Sequence, residues 1–507
     1  MKSLQLFLAC LLTYMLFSFY GIRSPDSEVV FRTTASLADY RTFSVTERMD
    51  WADFGVAKGV DGKYYSVFGP GQAVAAVPLY WISKIIAKSG WYHTLPNLIA
   101  PNYQVNNGLN RFIKGEDLIP IEDHALRTVT GLFNSIVSAL LVLIFFLISK
   151  NLTNSESASY LSSLIFALGT LVFPYSGTFF SEPLALLFML LSLLYLIKQY
   201  MTKSHIEREL YISLMLSGLF LGLSVFTHLS AILFAPFFGI FAAFIGSKKN
   251  HLNLKNIGWQ GACFTVGFFV AFSALGYYNY ARFDEILETG RNLPPHNKYL
   301  HSFVSPWSSI WDLIFSSGKG LLLFCPIIAF SFFIWKPFHD KFELLSYTII
   351  GSSLFRLVFI ASRSDWHGGF CLGPRYLLLL VPILILPLCE YLRRIIATKK
   401  IEKIKLTLGL VFICIAQQIY FTLGEIFVFL YMVKWEGSAR GVNVFEGQKI
   451  YLSWDYSPIT GLFITPRSPL FLRLLPLEQA SLYFVILLIV GAILFGIYKK
   501  LAFSLRT

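Results

Sequence analysis

Residues 127–148 read RTVTGLFNSIVSALLVLIFFLI, and after Arg127 this stretch contains no charged side chain. A helix needs about 20 predominantly apolar residues to cross the hydrocarbon core of a bilayer. The apolar run is continuous rather than alternating, so it indicates a membrane-spanning helix and not a strand of a membrane barrel. Several further stretches of the chain have the same character.

The composition of the whole chain is that of a protein largely embedded in lipid. Of its 507 residues, 55% are hydrophobic, 17% are aromatic and only 14% are charged, a balance that a water-soluble domain would not tolerate. The net charge of +13 does not predict a nucleic-acid partner, because the lysines and arginines cluster in short gaps between apolar runs. The six cysteines show neither a CxxC pair nor a metal-ligand spacing.

We therefore predict an all-α, polytopic membrane protein with about twelve transmembrane helices and with membrane lipids as its surroundings. The spans are expected near Ser3–Tyr20, Arg127–Ile148, Ala158–Phe173, Pro183–Leu196, Tyr211–Thr227, Leu229–Phe244, Gly258–Tyr278, Gly320–Trp335, Leu344–Ile360, Tyr376–Leu388, Leu406–Tyr431 and Leu482–Tyr498.

Twelve spans place both termini on one side, and the excess of lysine and arginine in the loops on that side identifies it as cytoplasmic. We expect residues 1–507 to form a single transmembrane domain without a separate soluble domain. The long loops then lie outside, at residues 21–126, 279–319, 363–373 and 434–480.

The first external loop, residues 21–126, is longer than a passive connection needs, so we expect it to carry the chemistry. Within it, Tyr64–Ile86 is apolar but contains glycine, proline and lysine. We predict a helix lying in the membrane interface there, where tyrosine, tryptophan and lysine are favoured.

An acidic motif, SPDSE at residues 24–28, follows the first predicted span directly. One interpretation is a helix start, with Ser24 or Asp26 as N-cap and the acids in the first turn complementing the helix dipole. The other is a catalytic site, because removing a proton from an acceptor hydroxyl requires a carboxylate held beside the donor. Asp26 and Glu28 are the candidate catalytic residues.

The acidic motif, together with DGKYYSVFGPG at residues 61–71 and PLYW at residues 78–81, resembles the start of the protein O-mannosyltransferase and lipid A aminoarabinose transferase superfamily. These are GT-C glycosyltransferases that use polyprenyl-phosphate sugars. The resemblance implies that Asp26 is the general base, and that the anomeric carbon is inverted.

The chain departs from this family where several members carry a lysine before a Pro-Pro pair, because FGPG occupies residues 68–71. Lys63 is a nearby substitute for that lysine, or else an ordinary solvated or interfacial side chain. Tyr65, in the same motif, is a further candidate for substrate binding.

A second motif, WHGGFCLGPRY at residues 366–376, resembles one found in bacterial glycosyltransferases of this superfamily, as do YNYARF at 278–283 and SGKGLL at 317–322. Arg375 could hold a phosphate with its fork of donors, or it could snorkel or pair with a structural carboxylate. The substrate-binding candidates from these motifs are Lys319, Trp366, His367, Arg375 and Tyr376.

Glu182, in the sequence Ser181-Glu182-Pro183, precedes a predicted span on a short external turn. An acid before Pro183 is typical of a helix N-terminus. The family resemblance instead implies an acid facing the active-site cavity, so Glu182 is also a substrate-binding candidate. His228, between two spans, is interpreted as a packing or turn residue.

The resemblance implies transfer of a sugar from a polyprenyl-phosphate donor to a hydroxyl of a lipid, glycan or protein acceptor. We expect the active site to face outward from a bacterial cytoplasmic membrane, since lipid-linked sugars are presented there. No cofactor is required: a divalent metal is compatible with the DxE of the acidic motif but is not demanded. The alternatives are a twelve-helix secondary transporter and a lipid-linked glycan ligase or polymerase.

Overall fold

The computed structural model describes residues 2–18, 22, 24–45, 54–94, 121–202, 206–245, 253–299 and 302–462. The predicted last span, Leu482–Tyr498, lies outside these residues, as do parts of the predicted first and last external loops. The count of twelve spans therefore stays a prediction.

The described part of the chain is mostly helical. In chain order its α-helices cover Lys2–Phe17, Pro25–Tyr40, Gly71–Lys88, Trp91–Thr94, Ile121–Thr130, Phe133–Thr153, Glu156–Leu168, Val172–Tyr175, Glu182–Met201, Glu207–Thr227, Ala235–Phe244, Leu254–Phe283, Trp307–Phe315, Leu321–Phe324, Pro326–Phe333, Trp335–His339, Glu343–Ala361, Val381–Leu384, Pro387–Thr398, Ile401–Leu423, Ile426–Ala439, Lys449–Leu452 and Pro458–Gly461. Short 3₁₀ helices cover Leu229–Phe234, His296–Tyr299, Arg375–Leu380, Glu446–Gln448 and Trp454–Tyr456.

Seven helical stretches in the described residues are long and apolar enough to cross a membrane, which confirms an integral, multi-pass membrane protein. They are Glu122–Thr153, Glu182–Met201, Glu207–Thr227, Leu254–Phe283, Glu343–Ala361, Arg375–Thr398 and Ile401–Leu423. Ser3–Phe17 and Leu229–Phe244 are shorter apolar helices.

Three predicted spans are broken rather than continuous. In the predicted Ala158–Phe173 span, one helix ends at Leu168 and a separate short helix begins at Val172. The predicted Gly320–Trp335 helix is divided into short pieces, one break falling at Cys325, because Pro326 has no backbone N–H with which to continue the preceding helix. The predicted Leu406–Tyr431 helix ends at Leu423, and a separate helix begins at Ile426. Apolar composition alone does not reveal these breaks.

A small β-hairpin in the first loop departs from the all-α prediction. Strands Val56–Lys58 and Tyr64–Ser66 pair antiparallel, with Ala57 opposite Tyr65. The turn between them contains Gly62, whose φ of +81° is easily adopted only by glycine. The predicted Tyr64–Ile86 helix is therefore corrected at its start: Tyr64–Ser66 is a strand, and the helix begins at Gly71.

The Gly71–Lys88 helix exposes the large apolar side chains of Trp81, Ile82 and Ile85, of which Ile85 is 71% exposed. An exposed apolar face of this kind suits contact with lipid. The interfacial position of this helix remains a prediction.

The site is framed by helices that pack closely on one another. The Glu182–Met201 helix packs against both Phe133–Thr153 and Glu207–Thr227, and the last of these packs along Leu254–Phe283. The beginning of Glu182–Met201 and the end of Glu207–Thr227 lie at the same end of this group, where Ser181 contacts His228. Residues from the first loop and from the 366–376 motif complete the site there.

Candidate active site

Three charged side chains from distant parts of the sequence meet at the centre of the site. Nη1 of Arg375 donates to Oδ2 of Asp26 at 2.7 Å, across 349 positions of sequence. Nε of Arg375 lies 3.2 Å from Oε1 of Glu182. The two groups form an ion pair, but Nε and Oε1 do not have the geometry of a hydrogen bond. The guanidinium also lies 4.4 Å from the ring centre of Phe180. The structure thus brings three predicted site residues together.

Asp26 owes its position to the way the Pro25–Tyr40 helix begins. Ser24 is the N-cap, because its Oγ accepts a hydrogen bond from the backbone N–H of Ser27 at 3.1 Å. The carboxylate of Asp26 is therefore not needed as a cap and points to Arg375. Its side chain is 21% exposed, against 3% for Glu182, so Asp26 is the more accessible of the two acids.

A cavity of about 320 Å³ opens beside this ion-pair cluster. Its polar lining includes Asp26, Glu182, Asp365 and Arg375. Aromatic rings form much of the remaining wall, at Phe54, Phe68, Phe179, Phe180, Phe370, Tyr376, Phe427 and Tyr431. We call it the Asp26 cavity. Polar groups converging within an apolar wall are typical of a small-molecule or lipid-linked substrate site.

A second cavity, of about 250 Å³, adjoins the first and has a more aliphatic wall. Three arginines, Arg282, Arg291 and Arg363, lie among aliphatic side chains such as Leu229 and Leu275. We call it the Arg291 cavity. Both cavities are lined by Phe68, Ser181, His228, Arg291 and Tyr376, so they share one wall.

The three arginines of the second cavity differ in their partners. Arg282 donates to the backbone carbonyls of Tyr278 and Ser66 and to the side chain of Asn279. Arg363 forms a bidentate pair with Asp365, at 2.7 Å and 2.6 Å, and Asp365 also accepts from the hydroxyl of Tyr376 at 3.3 Å. Among the described residues, no protein group accepts a hydrogen bond from Arg291, whose guanidinium lies 5.9 Å from the ring centre of Phe68. Burial lowers the pKa of Arg291. A partly buried guanidinium without a hydrogen-bond partner among the described residues is suited to an anionic ligand.

Glu28, the other predicted catalytic acid, faces away from the cavities. Its carboxylate accepts from Arg127 at 2.6 Å and 3.1 Å, and from Arg32 at 2.8 Å. Burial alone would raise its pKa, but the two guanidinium groups lower the pKa of Glu28 to about 2. This geometry ties the Pro25–Tyr40 helix to the Ile121–Thr130 helix.

Lys319 lies buried beneath the loop of the second motif and lines neither cavity. Its Nζ donates to the carbonyl oxygens of Gly369 and Cys371, both at 2.9 Å, and lies 3.2 Å from the Cys371 sulfur. Its donors are therefore occupied by the protein, and they fix the loop that forms part of the Asp26 cavity.

Trp366 and His367 are placed differently from each other. Trp366 is buried and lines neither cavity. His367 lines the Asp26 cavity, stacks on Tyr451 with ring centres 4.2 Å apart, and accepts at Nδ1 from the backbone of Gly369 at 3.0 Å.

Lys63 and Tyr65 belong to the β-hairpin and line neither cavity. Lys63 is largely exposed, 3.6 Å from Asp61, and Tyr65 donates its hydroxyl to Asp61 at 2.8 Å. The hairpin nevertheless supports the site, since the following FGPG segment reaches the end of the Glu207–Thr227 helix. A Cβ on Gly69 or Gly71 would overlap Thr227, so these glycines permit that close backbone approach.

The residues that line the cavities but did not stand out in the sequence include Arg291, Asp365 and His228. Asp365 directly precedes the second motif, which was a usable signal. Arg291 is one of many basic residues in the loops, and His228 resembles an ordinary turn residue. In the described part of the chain, no group of three or more His, Cys, Asp or Glu side chains is arranged to hold a metal ion.

Comparison with known proteins gives a family model that matches part of the chain. Residues 125–287 match the family model described as dolichyl-phosphate-mannose-protein mannosyltransferase, a range that contains Glu182 and His228. A comparison with curated protein sequences gave no match.

The solved structures that are similar to the chain include the following two. ArnT from Cupriavidus metallidurans in the apo state is 11% identical with a TM-score of 0.48, over 81% of this chain and 63% of that one. The oligosaccharyltransferase AglB from Archaeoglobus fulgidus is 12% identical with a TM-score of 0.46, over 94% of this chain and 61% of that one. The chain thus spans less than two-thirds of the length of either structure. Over residues 125–287, the family model confirms the predicted resemblance to the dolichyl-phosphate-mannose-protein mannosyltransferases.

Proposed function

We propose that this protein moves a sugar from a polyprenyl-phosphate donor to an acceptor hydroxyl on the external face of the membrane, with inversion and with Asp26 as general base. The observation that carries the proposal is the meeting of Asp26, Arg375 and Glu182 at the wall of a cavity. The acid of the first loop and the arginine of the second motif, both predicted as site residues, form one ion pair.

Asp26 is held in a way that suits a base. Its Oδ2 is bonded to Arg375, whereas among the described residues no group donates to its Oδ1. One oxygen thus fixes the orientation of the carboxylate, and the other is available to an acceptor hydroxyl in the Asp26 cavity. Such positioned proton transfer is worth about 10²–10⁴-fold in rate.

The Arg291 cavity is suited to the donor. Its aliphatic wall fits the first isoprene units, and the unpaired guanidinium of Arg291 fits the phosphate. In the reaction, the acceptor oxygen loses its proton to Asp26 and bonds to the anomeric carbon. The bond from that carbon to the phosphate oxygen breaks, and polyprenyl phosphate leaves with the electron pair, its charge balanced by Arg291.

Arg375 was predicted to bind the phosphate, but its guanidinium already serves two carboxylates. We therefore assign the phosphate contact to Arg291 and give Arg375 the task of holding Asp26 and Glu182. Lys319 and Glu28 act as supports in this proposal, Lys319 for the loop of the second motif and Glu28 for the Pro25–Tyr40 helix.

The proposal is tested by mass spectrometry of envelope lipids, glycans and proteins from cells with and without the gene. We expect the deletion to remove one sugar from one class of acceptor. The parent gene should restore that sugar and Asp26→Asn should not. An unchanged set of glycans after deletion would contradict the proposal, whereas loss of a whole preassembled glycan would favour the ligase alternative.

Replacing Arg291 by glutamine is expected to weaken binding of undecaprenyl phosphate by about 10-fold or more, since a charge-assisted bond contributes roughly 1.5–3 kcal/mol. Arg291→Lys should recover part of the loss, because lysine keeps the charge without the fork. Binding would be measured by titrating the lipid into purified protein in detergent.

The matched control is Arg440→Gln, since Arg440 is an exposed residue paired with Glu436 and lines neither cavity. We expect it to bind undecaprenyl phosphate as the parent does. Equal affinity of the parent and the Arg291→Gln variant would refute the phosphate assignment.

A further inference from the structure

The wall shared by the two cavities is the place where the transferred sugar must lie. This step rests on the proposed function: if the phosphate occupies the Arg291 cavity and the acceptor hydroxyl approaches Asp26, the anomeric carbon lies between them. The residues that line both cavities are Phe68, Ser181, His228, Arg291 and Tyr376. They are therefore the first candidates for contact with the sugar.

Of these five residues, His228 has the polar atom that is best placed to bind a sugar. The hydroxyl of Tyr376 is directed to Asp365, and Arg291 is assigned to the phosphate. Nδ1 of His228 lies 3.3 Å from Oγ of Ser181. Among the described residues, Nε2 of His228 has no hydrogen-bond partner. His228 is partly buried and lines both cavities, so this ring atom is available to a ligand that enters them.

The backbone holds His228 firmly at this position. It ends the Glu207–Thr227 helix in an extended conformation, with φ −145° and ψ 104°, and its N–H donates to the carbonyl of Ser224 at 2.8 Å. The close approach of Gly69 to Thr227, the preceding residue, fixes the same turn from the other side. The ring is thereby positioned before any ligand arrives, which favours selective recognition.

The surroundings also keep the imidazole uncharged. Burial lowers the pKa of His228 well below its usual range, and Arg356, Arg375, Arg291 and Arg363 lower it further. A neutral ring offers one donor and one acceptor, so it can bind a hydroxyl or an amino group without adding charge next to the phosphate.

We propose that Nε2 of His228 hydrogen-bonds one ring substituent of the transferred sugar and thereby helps to select which sugar is accepted. The partner is a hydroxyl or amino group of the donor sugar. His228 binds the sugar in this proposal and takes no part in proton transfer, which belongs to Asp26.

The test compares the parent, His228→Ala and His228→Gln on the natural polyprenyl-phosphate sugar and on a set of its monodeoxy analogues. We expect His228→Ala to lower kcat/KM for the natural donor by about 3- to 10-fold, the effect of one neutral hydrogen bond. For one analogue, which lacks the recognised substituent, the parent and His228→Ala should react equally. Glutamine carries an amide group near the position of Nε2 and should restore part of the preference.

A merely structural role for His228 would lower kcat/KM by the same factor for every donor, and this result would overturn the inference. If His228→Ala does not fold, His228→Leu, which fills the space without a polar atom, serves instead, and an equal loss of kcat/KM for every donor would likewise overturn it. Absence of transfer by the parent from every polyprenyl-phosphate sugar would instead refute the proposed function itself. The two failures are therefore distinguishable.

Discussion

Asp26→Asn is expected to lower the rate of sugar transfer by about 10²–10⁴-fold, the contribution typical of a general base. Asparagine keeps the shape of the side chain and can still accept a hydrogen bond from Arg375, but it cannot take the acceptor proton. Ser24 provides the N-cap of this helix, so the substitution should leave its start intact. The variant should fold and bind donor lipid as the parent does. The measurement is the transfer rate with saturating donor, alongside the unfolding temperature in detergent.

Asp39→Asn is the matched control for this prediction. Asp39 lies near the other end of the same helix, where its carboxylate accepts from Tyr80 at 2.9 Å and from Lys84 at 2.8 Å, and it lines neither cavity. Its replacement should leave the transfer rate within a few-fold of the parent. If Asp26→Asn also stays within a few-fold, Asp26 is not the base.

Arg127→Met is expected to reduce the free energy of unfolding by about 3–5 kcal/mol, because it leaves the buried carboxylate of Glu28 without its main partner. Arg127 and Glu28 are both almost fully buried and meet at 2.6 Å. The loss would appear as a lower midpoint in denaturant or thermal unfolding of the protein in detergent. Transfer activity per folded molecule should change far less than with Asp26→Asn.

Arg32→Met provides the comparison, since Arg32 pairs with the same carboxylate from a more exposed position. Its loss should reduce the free energy of unfolding by about 1 kcal/mol or less, as for other partly exposed pairs.

The pH dependence of stability gives a second check, because the pKa of Glu28 is lowered from 4.5 to about 2 in the folded protein. The stabilisation is present above pH 4.5 and is lost as the pH falls towards 2. Glu28→Gln should abolish that part of the pH dependence. If Arg127→Met and Arg32→Met reduced the free energy of unfolding equally, Arg127 would not be the main partner of Glu28.

Five of the site residues predicted from the sequence line the same cavity, although the sequence did not reveal their partners. Asp26, Glu182, His367, Arg375 and Tyr376 all line the Asp26 cavity. The sequence could not separate Asp26 from Glu28, since both belong to one acidic motif. On a helix, two positions correspond to about 200° of rotation, so the carboxylates face different neighbours. One meets Arg375 and the other meets Arg127.

The sequence by itself determined that this is a multi-pass helical membrane protein, because hydropathy summed over about 20 consecutive residues is a local property that lipid selects directly. It also determined where the acidic and glycine-rich motifs lie. Only the tertiary structure decided that Arg375 pairs with Asp26, that Lys319 supports a loop, and that Arg291 and His228 face the cavities. These arrangements depend on how helices and loops far apart in the chain pack together, which no local pattern of residues encodes.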